Sequence, residues 1–369
     1  MGSGQYSRQL VYHLNEQVSD LKITLIFPQA PDEPEPEVVP PGVEVKLMPV
    51  RAGHWGKVLF EQRLFPLACQ EVGATLAHVP YWGAPLRSPV PLVVTIHDLT
   101  TLLTPAYNRG VKARLYNALV SASARGANHI ITDSFASKLD IMDHLGIAEG
   151  RITAVYLAAG SQYTPQENNL VDMAVLRKYD LPDFYVLYLG GYETHKNVTT
   201  LLLAWTYVAQ ALGADYPLVL AGKKPKAPSA TFPDYESIIK ELGLEAYVQW
   251  LGYVDEEDKA TLYRNAETFV FPSRREGFGL PVLEALACGV PVVASSATSL
   301  PEIVGDAGFT VDPDDARGMA GAIISTIIQE NLAAELRQKG PGQAAQFSWE
   351  KTAVETLMIY DQVSRTAAL

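Results

Sequence analysis

The chain has 369 residues, 48% apolar and 19% charged, which excludes a disordered polymer and implies two or three cores rather than one. Its formal charge of −12 excludes a nucleic-acid binder, which needs a basic face toward phosphates. The charge is uneven: residues 1–175 carry 13 Lys and Arg against 16 Asp and Glu (−3), and the remainder carries 16 against 25 (−9). The amino-terminal half is therefore the half suited to an anionic surface or substrate. The two cysteines, Cys69 and Cys288, lie far apart; they make neither a disulfide framework nor a zinc site, and read as buried thiols in a reducing, cytoplasmic compartment. No apolar run is long enough to span a bilayer, so the expectation is a soluble protein, at most peripheral to the inner face of a membrane.

Short, continuously apolar runs alternate with helical stretches. In chain order the strand candidates are KITLIF (22–27), VEVKL (43–47), ATLAHVP (74–80), LVVTIHD (92–98) and NHIITDS (128–134). A second series follows: FYVLYLG (184–190), YPLVLAG (216–222), YVQWLGY (247–253), TFVFPS (268–273) and PVVAS (291–295). Apolar runs that do not alternate mark strands buried on both faces of a parallel sheet, and strand–helix alternation implies right-handed βα units. The pattern occurs twice, so the expected fold is α/β with two doubly wound domains. The Pro- and acid-rich APDEPEPEVVPPG (30–42) reads as an exposed loop, and the polar SQYTPQENNLVDM (161–173) as the break between domains. This gives a first domain over 1–165, a second over 175–345, and a closing helix over 346–369. In that helix Val354, Leu357, Met358 and Tyr360 form the apolar face. The helix VKARLYNALVSASARG (111–126) mixes Lys112, Arg114 and Arg125 with apolar residues, and reads either as a cover for the sheet or as a contact with an anionic membrane surface.

Ligands of open α/β sheets bind beyond the carboxyl ends of the strands, so the expected site lies where two such domains face each other. The stretch EGFGLPVLE (276–284) follows one strand and opens a helix at Leu280–Pro281. Gly277 and Gly279 admit a ligand close to the backbone, and the helix start faces an anionic or hydroxyl-rich group. Glu276 and Glu284 bracket this turn. A carboxylate accepts paired hydrogen bonds from a diol, and two carboxylates so spaced suit the two sugars of a nucleotide-diphosphate sugar.

The segment PSRREGFGLPVLEALACGVPVVASSATSLPEIVGDAGFTVDPDD (272–315) resembles the donor-binding core of retaining family-4 glycosyltransferases (glycosyl transferase group 1). HVPYWGAPL (78–86), VVTIHDLT (93–100), ITDSFASKLDI (131–141), LYLGGYETHKNVTTLLLA (187–204) and VQWLGYVDEEDKATLYRNAETFVFPS (248–273) follow the order of that family, nearest its mannosyltransferase-like branch. The resemblance implies the GT-B fold, two Rossmann-like domains facing across a cleft. It implies transfer of a hexose from a nucleotide-diphosphate sugar such as GDP-mannose to a hydroxyl of a glycan or lipid-linked glycan, with retention and without a metal or other cofactor. The catalytic residues implied are His97 beside the donor hexose, Glu276 on the hexose hydroxyls and Lys196 on the diphosphate. The backbone of Gly277, Phe278, Gly279 and Leu280 would meet the hexose and phosphates, with Gly190 and Gly191 in the loop before Lys196. Glu284 would take the ribose diol, and Tyr253 and Val254 the base. Ser134 and Lys138 are candidates for the opposite wall. Ordinary alternatives stand beside these roles: Tyr253 as packing, Lys196 as a surface lysine, and His97 as a strand-end histidine paired with Asp98.

The chain departs from the family in two places. Position 191 is Gly where the family often has Arg, leaving Arg274, Arg275 or His195 as the second cation. At the opening, Gly2 and Gly4 of MGSGQYSRQLVYHL fit a glycine-rich loop that approaches the donor phosphate. The strand expected before that loop is not in the chain, and the expectation is that the natural start lies upstream or that the segment was cut away. DPD (312–314) looks like the metal-binding Asp-x-Asp pattern of another glycosyltransferase class, but reads here as a loop with a helix cap at Asp314 or Asp315. A phosphorylase or an epimerase is disfavoured by chain length and loop context; a non-catalytic sugar-nucleotide or glycan-binding protein is the main alternative.

Overall fold

Most of the continuous apolar runs become strands covered on both faces, while Thr24–Gln29, Glu44–Pro49 and Val248–Gly252 stay partly exposed. In the computed structural model, which describes residues 2–18, 20–30, 39–104, 106–107, 110–166 and 169–367, every described strand pairing is parallel. The chain divides into one unit of residues 1–157 with 348–369 and another of 158–347.

In the first unit β1 (Thr24–Gln29) pairs with β2 (Glu44–Pro49). A separate sheet takes β3 (Ala77–Val79), β4 (Leu92–Thr95), β5 (His129–Thr132) and β6 (Ile152–Ala154) in that order. All four residues of β4 and of β5 are buried. β6 was not among the expected strands, because three residues are too few to show a period. Most of the Pro- and acid-rich loop, 31–38, falls outside the described residues. The first helix spans Gly2–Gln17, so Gly2 and Gly4 sit in its first turn and not in a loop ahead of it. Its buried stripe, Tyr6, Leu10 and Leu14, has the i, i+4, i+8 spacing of one helical face.

The closing helix, Trp349–Ala367, belongs to this first unit. Ile359 and Val363 share a core with Val93, Ile131 and Val155. Its buried face is only partly the expected one: Tyr360 packs on that core and Leu357 is half-buried, but Val354 is 36% exposed and Met358 65%, while Thr352, Ala353 and Thr356 are buried. The threonines can be buried because their hydroxyls donate to carbonyls, Thr356 Oγ1 to Thr352 O (2.7 Å) and Thr352 Oγ1 to Tyr156 O (2.6 Å). A thread of side chains ties both terminal helices to the sheet. Tyr6 Oη lies 3.0 Å from Thr95 Oγ1, His78 Nε2 lies 2.7 Å from the same hydroxyl, and His78 Nδ1 lies 2.6 Å from Tyr360 Oη. Burial pushes His78 down to about 3, so the thread is neutral.

The second unit is a six-stranded sheet. Its strands are β7 (Val186–Leu189), β8 (Leu218–Ala221), β9 (Val248–Gly252), β10 (Thr268–Phe271), β11 (Val292–Ser295) and β12 (Gly308–Val311), in the order β12-β11-β10-β7-β8-β9. The chain builds outward from β7 in one direction, then returns to its other side through β10. The junction of β7 and β10 is therefore the topological switch point, where the crossovers diverge and leave a crevice at the carboxyl ends. The unit begins earlier than the polar break would place it. Tyr163 packs against Tyr263 (ring centroids 6.0 Å) and donates to Glu256 (2.9 Å), which holds 158–166 on this unit. Among the described residues, no helix is long and apolar enough to cross a membrane.

Candidate active site

Two loops leave the switch point. After β7 come Gly190 and Gly191 and a single turn, Thr194–Lys196; after β10 come 272–279 and the helix Leu280–Ala287. Main-chain and short polar groups clasp the loops together. His195 O accepts from Arg274 N–H (2.8 Å) and from Ser273 Oγ (3.1 Å). Asn197, left-handed at φ 60° and buried, donates from Nδ2 to Pro272 O (3.0 Å) and Pro313 O (2.7 Å). Asparagine tolerates that conformation better than most residues, and here its amide also spans two loops.

The clasp sets Lys196 Nζ 2.7 Å from Glu276 Oε1, with side chains only 19% and 13% exposed. The ammonium also lies 5.5 Å from the Phe271 ring centroid. Glu276 N–H donates to Thr298 Oγ1 (3.0 Å), and Ser299 Oγ donates to Phe278 O (2.6 Å). The backbone needs glycine at Gly279 (φ 119°), where a Cβ would stand 2.7 Å from Leu300 Cδ2. It needs glycine more strictly at Gly222 (φ 131°), where a Cβ would stand 2.0 Å from Gly190 O.

Glu284 lies on the helix Leu280–Ala287 but is no solvated surface charge: it is 4% exposed and accepts from Tyr263 Oη (3.0 Å). Burial pushes its carboxyl up to about 7, opposed in part by Lys259 and the Tyr263 hydroxyl. The folded value lies above the unfolded one, so the folded state holds the extra proton between roughly pH 4.5 and 7. Stability from this group is full below that window and lost as pH rises through it, by ~3 kcal/mol. Urea unfolding at pH 5 and pH 8 is expected to show that loss in the wild type and a much flatter profile in Glu284→Gln. Equal slopes in the two proteins would mean that Glu284 is ionised in the fold throughout.

In the first unit, His97 follows β4. Its Nδ1 lies 2.7 Å from Asp133 Oδ2, not paired with Asp98, and its Nε2 lies 3.2 Å from Pro80 O. Asp98 is occupied in accepting from Thr100 N–H (2.6 Å). Both ring nitrogens of His97 thus face acceptors, which favours the doubly protonated ring. Burial pulls the imidazole down, but Asp133, Asp98 and the Pro80 carbonyl together outweigh it, and the net shift is upward. The Tyr6 ring meets His97 edge-on at 5.0 Å.

Comparison with known proteins fits this geometry. Residues 1–158 match the family described as glycosyl transferase 4-like domain, and residues 177–343 the family described as glycosyl transferases group 1. The chain is 36% identical over 269 residues to the O-antigen chain mannosyltransferase B of Escherichia coli, covering 73% of this chain and 69% of that protein. The chain belongs to the group 1 glycosyltransferases. The serotype-specific mannosyltransferase WbdA of Escherichia coli is 31% identical over 265 residues, 71% of this chain, but the match spans only 32% of that larger protein. Sucrose-phosphate synthase from Thermosynechococcus elongatus superposes with a TM-score of 0.79 at 24% identity, covering 100% of this chain and 94% of that one. The fold is α/β of the GT-B class.

The other candidate residues divide between the two units. Lys196, Glu276, Gly277–Leu280, Glu284, Gly190, Gly191, Tyr253 and Val254 all lie in the second unit, and His97, Gly2 and Gly4 in the first. Tyr253 is 59% exposed and Val254 is buried. Arg274 forms an ion pair with Asp314, so that guanidinium is already committed to a carboxylate. In DPD the acids serve the loop. Asp312 accepts from Asp314 N–H (2.8 Å), and the cap of the next helix is Asp315, which accepts from Gly318 N–H (2.9 Å). Ser134 caps the helix Phe135–Leu145 and Lys138 pairs with Glu149 (3.2 Å). Asn197, Thr298 and Ser299 position the loops, and the sequence alone gave them no role.

Proposed function

We propose that the enzyme transfers mannose from GDP-mannose to a hydroxyl of a growing surface glycan or lipid-linked glycan, with retention at the anomeric carbon. The observation that carries this reading is the Lys196–Glu276 pair set across the switch point of the second unit. An ammonium there offers charge to the leaving diphosphate, whose negative charge grows in the transition state. The carboxylate beside it exchanges its partner for hydroxyls of the donor hexose, and Glu284 takes the ribose diol. In this reading the acceptor attacks on the face the diphosphate leaves, and a phosphate oxygen takes its proton. The reaction is proposed to need no metal. The mannosyl donor is supported by the names of the two Escherichia coli relatives.

A panel of GDP-mannose, UDP-glucose, UDP-galactose, UDP-N-acetylglucosamine and ADP-glucose tests the reading by thermal shift and by nucleotide release with chelator present. GDP-mannose is expected to give the largest shift, with slow release of GDP in the absence of acceptor. A larger shift with a uridine or adenosine donor would replace the donor assignment, and a shift without any release would favour a binding protein.

A further inference from the structure

The helix Leu280–Ala287 buries Val282, Leu283, Ala285 and Leu286 together with Glu284, so this acid stands among apolar side chains and needs partners. Two phenols supply them. Tyr263 Oη donates to Glu284 Oε2 (3.0 Å). Tyr163 meets the Tyr263 ring edge-on, at 67° with centroids 6.0 Å apart, and its hydroxyl is close enough to interact with the same carboxyl. Both tyrosines are buried. Burial keeps both phenols protonated, so each can give its hydrogen to a carboxylate.

A second carboxylate lies beside the first. Glu256 accepts from Tyr163 Oη at Oε1 (2.9 Å) and from Lys259 Nζ at Oε2 (2.6 Å), so both its oxygens are engaged. Tyr163 thus serves an exposed carboxylate and a buried one at once. Its segment is fastened without that hydroxyl: Arg264 donates to Thr164 O (3.4 Å) and pairs with Asp172 (2.7 Å). The groups that face Glu284 are Tyr163, Tyr263, Glu256, Lys259 and the Cys288 thiol, which burial pushes up to about 12. Burial holds the proton on Glu284; Lys259 and both hydroxyls favour its release, and Glu256 opposes that release. A diol gives its two hydrogens best to the ionised acid.

We propose, on the reading of Glu284 as the ribose ligand, that Tyr163 and Tyr263 are positioning residues for the nucleoside end of the donor: their hydroxyls hold the Glu284 carboxylate and leave the rest of it set for the diol. Each acts through the acid and not on the donor. The Tyr263 bond takes one of about four acceptor positions on the carboxylate and fixes its rotamer, so a diol meets a group already oriented. Losing either hydroxyl removes a donor that favours the ionised acid, and donor binding then needs a higher pH.

Donor KM and kcat of the full chain, followed across neutral pH, test it. The probe is whichever of the five nucleotide sugars above gives the largest thermal shift, since all carry the same ribose diol. KM of the wild type is expected to fall as pH rises through about 7, and to be raised and flat in Glu284→Gln. Tyr163→Phe and Tyr263→Phe keep the rings. Each is expected to raise KM by roughly 3- to 10-fold at neutral pH, to hold kcat within about 2-fold, and to move the midpoint of the KM profile up by ~0.5–1 pH unit. A residue that only packed would change the melting temperature and not that midpoint. Should Tyr263→Phe fail to fold, Tyr163→Phe decides alone, because Glu256 can turn to water. Wild-type KM and midpoint in the Phe variants, with Glu284→Gln impaired, would overturn the proposal. A Glu284→Gln enzyme with the wild-type KM would instead overturn the ribose reading beneath it.

Discussion

Lys196→Ala is expected to lower kcat of the glycosyltransferase by roughly 10²- to 10³-fold, with a much smaller change in KM. The lysine is held by a single ion pair at 2.7 Å and is 19% exposed, so its charge is only partly screened by water. Under the proposed function its contribution grows as the diphosphate departs, which places the expected loss in the transition state rather than in donor binding. The substitution also leaves Glu276, 13% exposed, without its cation partner, so Glu276→Gln is the needed companion. If the two groups act as a unit, the double variant loses little more than the worse single one. Steady-state rates with the identified donor decide the matter, with thermal unfolding as the control for folding. A rise in KM at constant kcat would mean that Lys196 only holds the donor.

Gly222→Ala is expected to destabilise the second unit by about 3 kcal/mol or more, a larger effect than a typical surface change. Two causes add. A φ of 131° is one that side chains avoid, and the new methyl would stand 2.0 Å from a main-chain oxygen, Gly190 O, which cannot rotate away. Relief requires β7 and β8 to part at their carboxyl ends, where Gly190 N–H donates to Ala221 O (3.1 Å) and Gly222 N–H to Gly252 O (2.7 Å). The same movement displaces the loop that ends in Lys196. Denaturant unfolding and activity should therefore fall together. A variant as stable as the wild type would show that the strand ends adapt without strain.

The strands were legible because burial on both faces leaves an unbroken apolar run, as in LVVT, HIIT and TFVF. The Lys196 and Glu276 positions were legible through resemblance, as residues of a motif. Their contact was not, because it closes across 80 positions of sequence and depends on where two strands sit in a sheet. Asn197 was quoted within its motif but given no task, since an amide that bonds to positions 75 and 116 residues distant leaves no local signal. The closing helix misled for a different reason. Its apolar letters, Val354 and Met358, face outward, while threonines that satisfy themselves on carbonyls face the core. Pattern reading counts hydroxyls as polar, and a helix that absorbs its own hydroxyls defeats that count.

The thread from Tyr6 through Thr95 and His78 to Tyr360 bears on how the protein comes to be made. His78 and Tyr360 are 282 positions apart, with the whole of the second unit between them. A ribosome releases the early strands of the first unit long before the helix that seals them. During that interval Val93, Ile131 and Val155 have no cover from Ile359 and Val363, and His78 lacks a partner. The unit that begins first is thus completed last, after a self-contained neighbour has already been synthesised. Its closure joins positions 282 residues apart, and such a non-local step is expected to be the slow part of assembly.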